Sequence, residues 1–320
     1  MKKEESNILP PGTRTVRVLA PATVANLVCG FDVLGMALND PQDRMELSLS
    51  DEPGIRIKHI DGYDLPTEPA QNVAGAGLIA LMQEYENKKI GFDLVVDKCI
   101  KPGSGLGSSA ASSAGAVVAA NHLLGGVFSN EDLVRFAMNG EKLASGVKHA
   151  DNIAPCIYGG VTLIRSIFPL DIIQLSAPPM FVTVVHPQIE VKTSDSRQIL
   201  RKEVLLKDAI KQWGNIAGLV AGFMKNDYNL ISRSLEDVII EPVRSILIPG
   251  FDEVKRKSKE AGALGGGISG SGPSIFMLSK DAAVAAMIEN VMIAVFEKVG
   301  IDFKTYVTTL NHEGVKIIAA

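Results

Sequence analysis

Residues 101–114 read Lys101-Pro-Gly-Ser-Gly-Leu-Gly-Ser-Ser-Ala-Ala-Ser-Ser-Ala114, and no other stretch of the chain constrains its structure as tightly. Three glycines within five residues let the backbone adopt left-handed angles and turn its N–H groups to one side. The small residues that follow predict a helix from about Ala110 to Leu124, ended by a Gly-Gly pair. Since the positive end of that helix would point at the glycine loop (residues 101–109), the pattern predicts a site for an anion such as a phosphate chain.

Other phosphate-binding motifs fit this chain less well. The P-loop pattern GxxxxGK[ST] is excluded, because the sequence contains no Gly-Lys pair. Residues 105–110 fit a relaxed dinucleotide fingerprint, GxGxxA, and residues 265–270 fit GxGxxG. That fingerprint normally opens the first strand–turn–helix unit and is followed by an acidic residue about 20 positions later. Here the first match comes late, and residues 121–130 hold no acid, which argues against a dinucleotide-dependent oxidoreductase.

Two further segments carry unusual patterns. Residues 262–274 hold six glycines between a predicted charged helix, about 251–261, and an apolar strand. A helix-to-strand turn needs one or two glycines, so the surplus predicts backbone that lies close to a ligand or to the glycine loop. In the apolar run 19–38, Asn26 and Asp32 are strongly polar and must find partners in the protein or in a ligand.

Composition limits the classes of partner. The 320 residues suffice for two domains, and 46% hydrophobic with 21% charged residues is ordinary for a soluble globular protein. A net charge of −4 with both signs interspersed argues against nucleic acid or a membrane surface as a partner. The charged residues 1–6 are not expected to form a signal peptide. Cys29, Cys99 and Cys156 have no paired spacing and predict buried free thiols in a cytoplasmic protein.

The order of predicted elements indicates the fold class. Strands alternate with helices but lack the regular single-helix crossovers of a doubly wound sheet, which predicts an α+β fold. We expect separate helices over 130–138 and 140–145. Three prolines within 168–179 indicate a nearby domain boundary, and we divide the chain into residues 1–165 and 166–320.

The three glycine-rich or polar segments, in this order, resemble the GHMP kinases, and the core at Pro102–Ala110 is specific to that superfamily. Within it the chain is most similar to the homoserine kinases, through Ala20–Gly35, Gly140-Glu-Lys, and the run from His149 to Gly160. The resemblance covers residues 16–319. It implies an N-terminal domain like ribosomal protein S5 domain 2, a ferredoxin-like C-terminal domain, and an active site in the cleft between them.

The resemblance also implies an activity, namely transfer of the γ-phosphate of ATP to the hydroxyl of L-homoserine in threonine biosynthesis. Phosphoryl transfer of this kind depends on positioning and charge neutralisation. The expected phosphate-binding residues are Lys101, Pro102, Gly103, Ser104, Gly105, Leu106, Gly107, Ser108 and Ser109. Asn72 and Lys98 are expected near the purine, and Ser109 with Glu141 is expected to hold Mg²⁺, which needs few protein ligands.

For the amino-acid substrate, the resemblance assigns the carboxylate to arginines, whose planar fork binds carboxylates bidentately. The expected substrate-binding residues are Asn26, Asp32, His149, Asn152, Thr193, Arg197 and Arg244. Asp32 and the amide oxygens would accept from the ammonium group. His149 would line the same pocket or serve as a hydrogen-bonded structural histidine.

The route of the hydroxyl proton stays open between two interpretations. Mevalonate-type members carry an aspartate before a Gly-Gly pair, and the matching position here is Asn152, with Asp151 one residue earlier. Because an amide cannot accept a proton usefully, we expect transfer without a dedicated carboxylate base, the proton passing to a phosphate oxygen or to water. Asp151 acting as the base is the alternative.

Two other functions compete with this interpretation. Another small-molecule GHMP kinase would use an acceptor without an amino-acid head, so Arg197 and Arg244 would be dispensable. A non-catalytic nucleotide-binding regulator is disfavoured, because the chain keeps all three segments together with Glu141. The resemblance further implies a homodimer.

Overall fold

A computed structural model describes residues 14–86, 89–191 and 193–318, without the side chains of Thr193 and Ser194. Its strands are β1 (Thr15–Ala25), β2 (Leu34–Ser50), β3 (Gly54–Asp61), β4 (Gly91–Asp97), β5 (Val161–Ile167), β6 (Leu170–Leu175), β7 (Phe181–Pro187), β8 (Gly265–Ile268), β9 (Ile275–Ser279), β10 (Phe303–Thr309) and β11 (Lys316–Ile318). Its helices are α1 (Val73–Glu84), α2 (Ser108–Leu123), α3 (Asn130–Ser145), α4 (Ile153–Tyr158), α5 (Thr193–Gln198), α6 (Leu206–Lys225), α7 (Tyr228–Ser234), α8 (Glu241–Arg244), α9 (Phe251–Glu260) and α10 (Ala282–Val299).

The first sheet joins the strands in the order β11-β1-β2-β4-β3, with β5 paired to β2 and β6 paired to β5. Its pairs are antiparallel except β3 with β4. Helices α1, α2 and α3 pack on one another, and α2 also packs on the sheet. Most residues of α2 are buried, which explains why its sequence is alanine-rich and small on all sides.

The second sheet has the antiparallel order β10-β7-β9-β8, as in a ferredoxin-like βαββαβ unit. Helices α9 and α10 pack on it through a second core cluster, in which Ile288, Met292 and Phe296 of α10 meet Val185 and Ile275 of the sheet. The α+β fold class expected from the sequence is therefore confirmed, with one mixed sheet and one ferredoxin-like sheet.

The sheets do not divide at residue 165. Strand β6 lies inside the proline-rich region and pairs with β5 from Val161↔Leu175 to Ile167↔Leu170. Strand β11 returns to the first sheet, where Lys316 to Ile318 pair with β1. Edge pairing therefore draws two later strands into the first sheet, and the division into domains 1–165 and 166–320 stays a prediction.

The two helices expected over 130–138 and 140–145 form one continuous helix, α3. Gly140 does not interrupt it. A Cβ at this position would lie 2.5 Å from the carbonyl oxygen of Val73 and 2.6 Å from Oγ of Ser113. Gly140 therefore serves the close approach of α1, α2 and α3, which a sequence pattern cannot distinguish from a helix end.

Two smaller expectations also need adjustment. Residues 265–268, which the sequence indicated as part of a turn, form strand β8 paired with β9. Cys29 and Cys156 are buried free thiols as expected, whereas Cys99 is exposed at the end of β4. Among the described helices, none is long and apolar enough to cross a membrane.

Candidate active site

A cleft with a cavity of about 490 Å³ lies between the two sheets, and the glycine loop forms one wall. The expected site residues that line it are Asn26, Asp32, Lys98, Pro102, Gly103, Gly105, Gly107, Ser108, Ser109, Glu141, His149, Asp151, Asn152, Arg197 and Arg244. Residues from distant parts of the chain thus meet in one place. The side chain of Thr193, also expected there, lies outside the described part of the structure.

The glycine loop has the conformation that its sequence predicts. Gly103, Gly105 and Gly107 have φ angles of 73°, 79° and 68°, which non-glycine residues rarely adopt. Gly107 immediately precedes α2, so the positive end of that buried helix faces the cleft beside Ser108 and Ser109. Backbone N–H groups and helix dipole together make this wall suited to an anion.

The second glycine-rich segment, residues 262–274, forms hydrogen bonds with the glycine loop. Oγ of Ser269 donates a hydrogen bond of 2.6 Å to the carbonyl oxygen of Gly105, and the N–H of Ser274 donates to the carbonyl oxygen of Ser104 at 3.3 Å. A Cβ on Gly105 would lie 2.6 Å from the carbonyl oxygen of Ser269. The surplus of glycines therefore reflects contact between the two loops, one of the two possibilities that the sequence left open.

The side chain of Asn72, which the resemblance places near the purine together with Lys98, makes hydrogen bonds within the protein. Oδ1 of Asn72 caps α1 by accepting from the N–H groups of Ala74 and Gly75, and Nδ2 donates to Pro66. Its polar atoms are therefore used inside the protein. Leu65, Val73, Pro102 and Ala144 also line the cleft and add apolar surface to it.

Lys98 lines the cleft and forms a buried ion pair that holds both ends of the glycine loop. Its ammonium pairs with Asp43 and donates to the carbonyl oxygen of Ser108 at 2.8 Å. Oδ1 of Asp43 accepts from the N–H groups of Cys99 and Ile100, each at 2.9 Å. The pair thus links the residues before the loop to the first turn of α2.

Replacing Lys98 with methionine is expected to destabilise the protein by about 3–5 kcal/mol, because Asp43 would be left buried without its counter-charge. Urea unfolding measures the change. The matched control is Lys211→Met, which breaks the exposed pair of Lys211 with Glu236 and should cost about 1 kcal/mol or less. Equal effects of the two substitutions would contradict the anchoring role of Lys98.

Three residues of the glycine loop do not line the cleft. Nζ of Lys101 donates to Oε1 of Gln188 at 2.8 Å. Ser104 and Leu106 are buried, and Oγ of Ser104 accepts from the N–H of Leu106 at 3.2 Å. The buried side chains of Ser104 and Leu106 therefore shape the loop, and these two residues would contact a ligand through their backbone.

Ser109 and Glu141 meet on the cleft wall as the metal assignment requires. Oγ of Ser109 donates to Oε2 of Glu141 at 2.8 Å across the contact of α2 and α3. Burial raises the pKa of Glu141, and a cation beside it would favour the charged carboxylate. Within the described residues no cluster of three His, Cys, Asp or Glu forms a metal cage, and Mg²⁺ needs none.

The cleft also contains two arginines whose guanidinium groups lie near the ring of Phe31. The guanidinium carbons of Arg197 and Arg244 lie 5.4 Å and 4.8 Å from the ring centre of Phe31. Burial and the neighbouring Arg197 lower the pKa of Arg244 to about 10. Two close, partly desolvated cations in a cleft favour the binding of an anion between them.

Some polar atoms beside the two arginines have hydrogen-bond partners, and others have none among the described residues. Nη2 of Arg197 donates to Oδ1 of Asp32 at 2.7 Å and to Nδ1 of His149 at 3.3 Å. Among the described residues, Nε of Arg197 and Nε2 of His149 are buried without a partner. Burial lowers the pKa of His149, so its ring is neutral near pH 7 and can carry a hydrogen on Nε2. Unpaired buried donors in a cleft indicate a ligand site.

Comparison of the sequence with models of known protein families identifies the family of this chain. The model for the GHMP kinases N terminal domain matches residues 72–160, and the model for the GHMP kinases C terminal region matches residues 219–298. The chain belongs to the GHMP kinase family.

Its similar relatives include homoserine kinases. The protein from Chloroherpeton thalassium is 44% identical over 318 residues, covering 95% of this chain and 100% of the relative. The protein from Chlorobaculum tepidum is 42% identical over 320 residues, covering 96% and 99%. The crystal structure of a homoserine kinase from Cytophaga hutchinsonii is similar with a TM-score of 0.92 at 47% identity, covering 97% of this chain and 99% of that one.

Residues 26–32 of this GHMP kinase form a strained turn that lines the cleft. Asn26, Leu27, Val28 and Asp32 all have positive φ, between 40° and 74°, which is unfavourable for non-glycine residues and especially for valine. Nδ2 of Asn26 donates to the carbonyl oxygen of Gly270 at 2.8 Å, and Oδ1 accepts from the N–H of Asp32 at 3.0 Å. Asn26 therefore holds the turn, and its oxygen is less available to a substrate ammonium than expected.

Asp151 and Asn152 lie side by side on the cleft wall of this kinase. Burial, with added repulsion from Asp32 and Glu141, raises the pKa of Asp151 to about 7. Oδ1 of Asn152 accepts a hydrogen bond of 2.8 Å from the hydroxyl of Thr23. A carboxylic acid with a pKa near the working pH has the property that a general base requires.

Sequence reasoning did not single out Phe31 or Asp43. Phe31 stands between Gly30 and Asp32 and is the sole aromatic residue of the apolar run 19–38, a signal that could have suggested a stacking role. Asp43 gave no signal, because its partner Lys98 is 55 positions away.

Proposed function

We propose that this protein is an ATP-dependent L-homoserine O-phosphotransferase, which forms O-phospho-L-homoserine for threonine biosynthesis. The observation that carries the proposal is that two anion-binding elements line one cleft. The glycine loop offers backbone donors to a phosphate chain, and Arg197 and Arg244 offer a second anion site in the same cleft. The homoserine kinases that are similar along nearly the full chain support the choice of acceptor.

The acceptor would bind through its amino-acid head. Its carboxylate would lie against Arg197 and Arg244, where it relieves the repulsion between two close cations. Its ammonium would lie near Asp32, which Arg197 holds in place. This arrangement would leave the side-chain hydroxyl free to approach a phosphate at the glycine loop, and positioning of this kind is the main contribution of a phosphotransferase to its rate.

Mg²⁺ would be held by Ser109 and Glu141, whose oxygens suit a hard cation. When bound it would neutralise charge on the phosphates. The role of the protein is to keep the Glu141 carboxylate in place on α3 through its hydrogen bond with Ser109.

Replacing Glu141 with glutamine is expected to raise the Mg²⁺ concentration for half-maximal rate by about 10-fold or more, because a charged oxygen ligand is lost. A titration of rate against Mg²⁺ at saturating ATP measures the change. Glu131→Gln, an exposed carboxylate on the same helix, is the control and should leave the titration unchanged. A Glu141→Gln variant with the wild-type Mg²⁺ dependence would refute the metal assignment.

The hydroxyl proton has two routes, and one observation favours a carboxylate. The sequence favoured direct transfer to a phosphate oxygen or water, because Asn152 cannot act as a base. The raised pKa of Asp151, about 7, and its position on the cleft wall support Asp151 as the acceptor of the proton.

An ADP-release assay with Mg-ATP tests the proposed function. The acceptor panel is L-homoserine, D-homoserine, mevalonate, galactose and shikimate. Activity confined to L-homoserine supports the proposal, and activity on mevalonate or a sugar would keep the family and refute the acceptor. ATP binding without turnover on any acceptor would favour a regulatory relative.

A cytoplasmic homodimer completes the proposal. The three free thiols are compatible with a reducing compartment, and the dimer rests on resemblance to the family. Light scattering should then give twice the 34.1 kDa mass of the chain.

A further inference from the structure

Thr23 is a fully buried residue behind the cleft that the proposed function does not yet use. Its hydroxyl donates to Oδ1 of Asn152 at 2.8 Å, and its N–H donates to the carbonyl oxygen of Leu106 at 3.1 Å. Thr23 therefore contacts both the glycine loop and a side chain on the cleft wall.

The backbone directs Thr23 to this position. The register between β1 and β2 shifts between Pro21 and Thr23, which marks an irregularity of the β-bulge type. Bulges re-aim side chains and are frequent next to active sites. The shift thus accounts for a polar side chain that points out of an apolar strand toward the loop.

Gly107 leaves the space that the hydroxyl occupies. A Cβ on Gly107 would lie 1.9 Å from Oγ1 of Thr23 and 3.0 Å from Oδ1 of Asn152. Glycine is therefore required here by the Thr23–Asn152 contact as well as by its φ of 68°. The loop, Thr23 and Asn152 form one tightly fitted unit.

We propose that Thr23 is a positioning residue that fixes the Asn152 amide, with Nδ2 turned toward the transferred phosphoryl group. The proposal rests on the proposed function, because it needs phosphoryl transfer in this cleft. With Oδ1 engaged by Thr23, the donor end of the planar amide is the end left for the cleft. A reversed amide would present an acceptor oxygen to phosphate oxygens, which repel it, whereas a fixed donor stabilises developing charge.

The test is a series of variants at Thr23 with full kinetics for both substrates. Thr23→Val removes the hydroxyl and keeps the shape, and it should lower kcat by about 10- to 100-fold, as for loss of one oriented donor. KM for ATP and for L-homoserine should change by about threefold or less, since neither substrate contacts Thr23 directly. Thr23→Ser keeps the hydroxyl and should restore most of kcat.

A double-variant cycle separates positioning from a general structural effect. Asn152→Ala should lower kcat to a similar degree, and adding Thr23→Val should cause no further loss, because both act through one amide. Thr183→Val is the matched control. Thr183 is also fully buried and donates to a carbonyl, that of Ala285 at 3.3 Å, but it lies on β7 and is not among the residues that line the cleft. Its kcat should match the wild type.

Several results would overturn the inference. They are an unchanged kcat in Thr23→Val, an equal loss in Thr23→Ser, and losses that multiply in the double variant. The folding of Thr23→Ala is measured in parallel. If Thr23→Ser folds but both Thr23→Ala and Thr23→Val fail to fold, Thr23 acts on stability alone. The proposed function fails separately, if the wild type does not phosphorylate L-homoserine, and the series is then measured with the acceptor that it does phosphorylate.

Discussion

Replacing Arg197 with methionine is expected to raise KM for L-homoserine by about 100-fold, with KM for ATP changed by about threefold or less. Arg197 supplies one of the two cations of the anion site, and its buried Nε has no partner among the described residues. The loss of one charged hydrogen-bonding partner costs about 3 kcal/mol, which corresponds to the predicted change. Initial rates with each substrate varied in turn measure both constants.

The matched control for this prediction is Arg165→Met. Arg165 pairs with Asp171 at the surface, away from the cleft, and the substitution should leave both KM values unchanged. Arg197→Lys should recover part of the affinity, because it keeps the charge and loses the planar fork. A normal KM for L-homoserine in Arg197→Met would place the carboxylate elsewhere and favour an acceptor without an amino-acid head.

Replacing Asp151 with asparagine is expected to stabilise the folded protein at pH 8 and to slow the reaction. Burial raises the pKa of Asp151 from 3.8 to about 7, so the folded state keeps a proton that the unfolded chain releases. The stability of the wild type therefore falls as the pH rises from about 4 to 7. Since asparagine does not titrate, the variant should be more stable at pH 8 by roughly 2–4 kcal/mol, and not near pH 4.

Urea unfolding at pH 4 and pH 8 measures this difference, with Asp171→Asn as a surface control that should show no gain at pH 8. Equal stability of Asp151→Asn and wild type at pH 8 would contradict the raised pKa. Steady-state kinetics test the second expectation. If Asp151 acts as the general base, kcat of Asp151→Asn should fall by about 100-fold or more with unchanged KM. A retained kcat would instead support transfer of the proton to a phosphate oxygen or water.

The features that the sequence predicted well are those that depend on local backbone chemistry. Gly103, Gly105 and Gly107 have the left-handed angles that their spacing implied, and α2 begins directly after them. The ferredoxin-like order of the second sheet followed from the family resemblance. Ser109 and Glu141 were paired by the family resemblance and not by their spacing in the sequence, and they form a hydrogen bond.

The features that the sequence could not predict depend on partners far apart in the chain. Lys98 is a common surface residue by type, and its pairing with Asp43 exists only because β2 and β4 are neighbours. Gly140 looked like a helix end, although it marks a close helix contact. Strand β11 has three residues at a sheet edge, too short for a pattern to reveal its partner.

The most direct test of the proposed function is identification of the product by phosphorus-31 NMR. The wild-type protein is incubated with Mg-ATP and L-homoserine, and the reaction is compared with one that contains D-homoserine. We predict ADP and a phosphomonoester on the L-homoserine hydroxyl in equal amounts, with none formed from D-homoserine. ADP with inorganic phosphate alone, or no turnover by protein that binds ATP, would contradict the assignment of the cleft to an amino-acid acceptor.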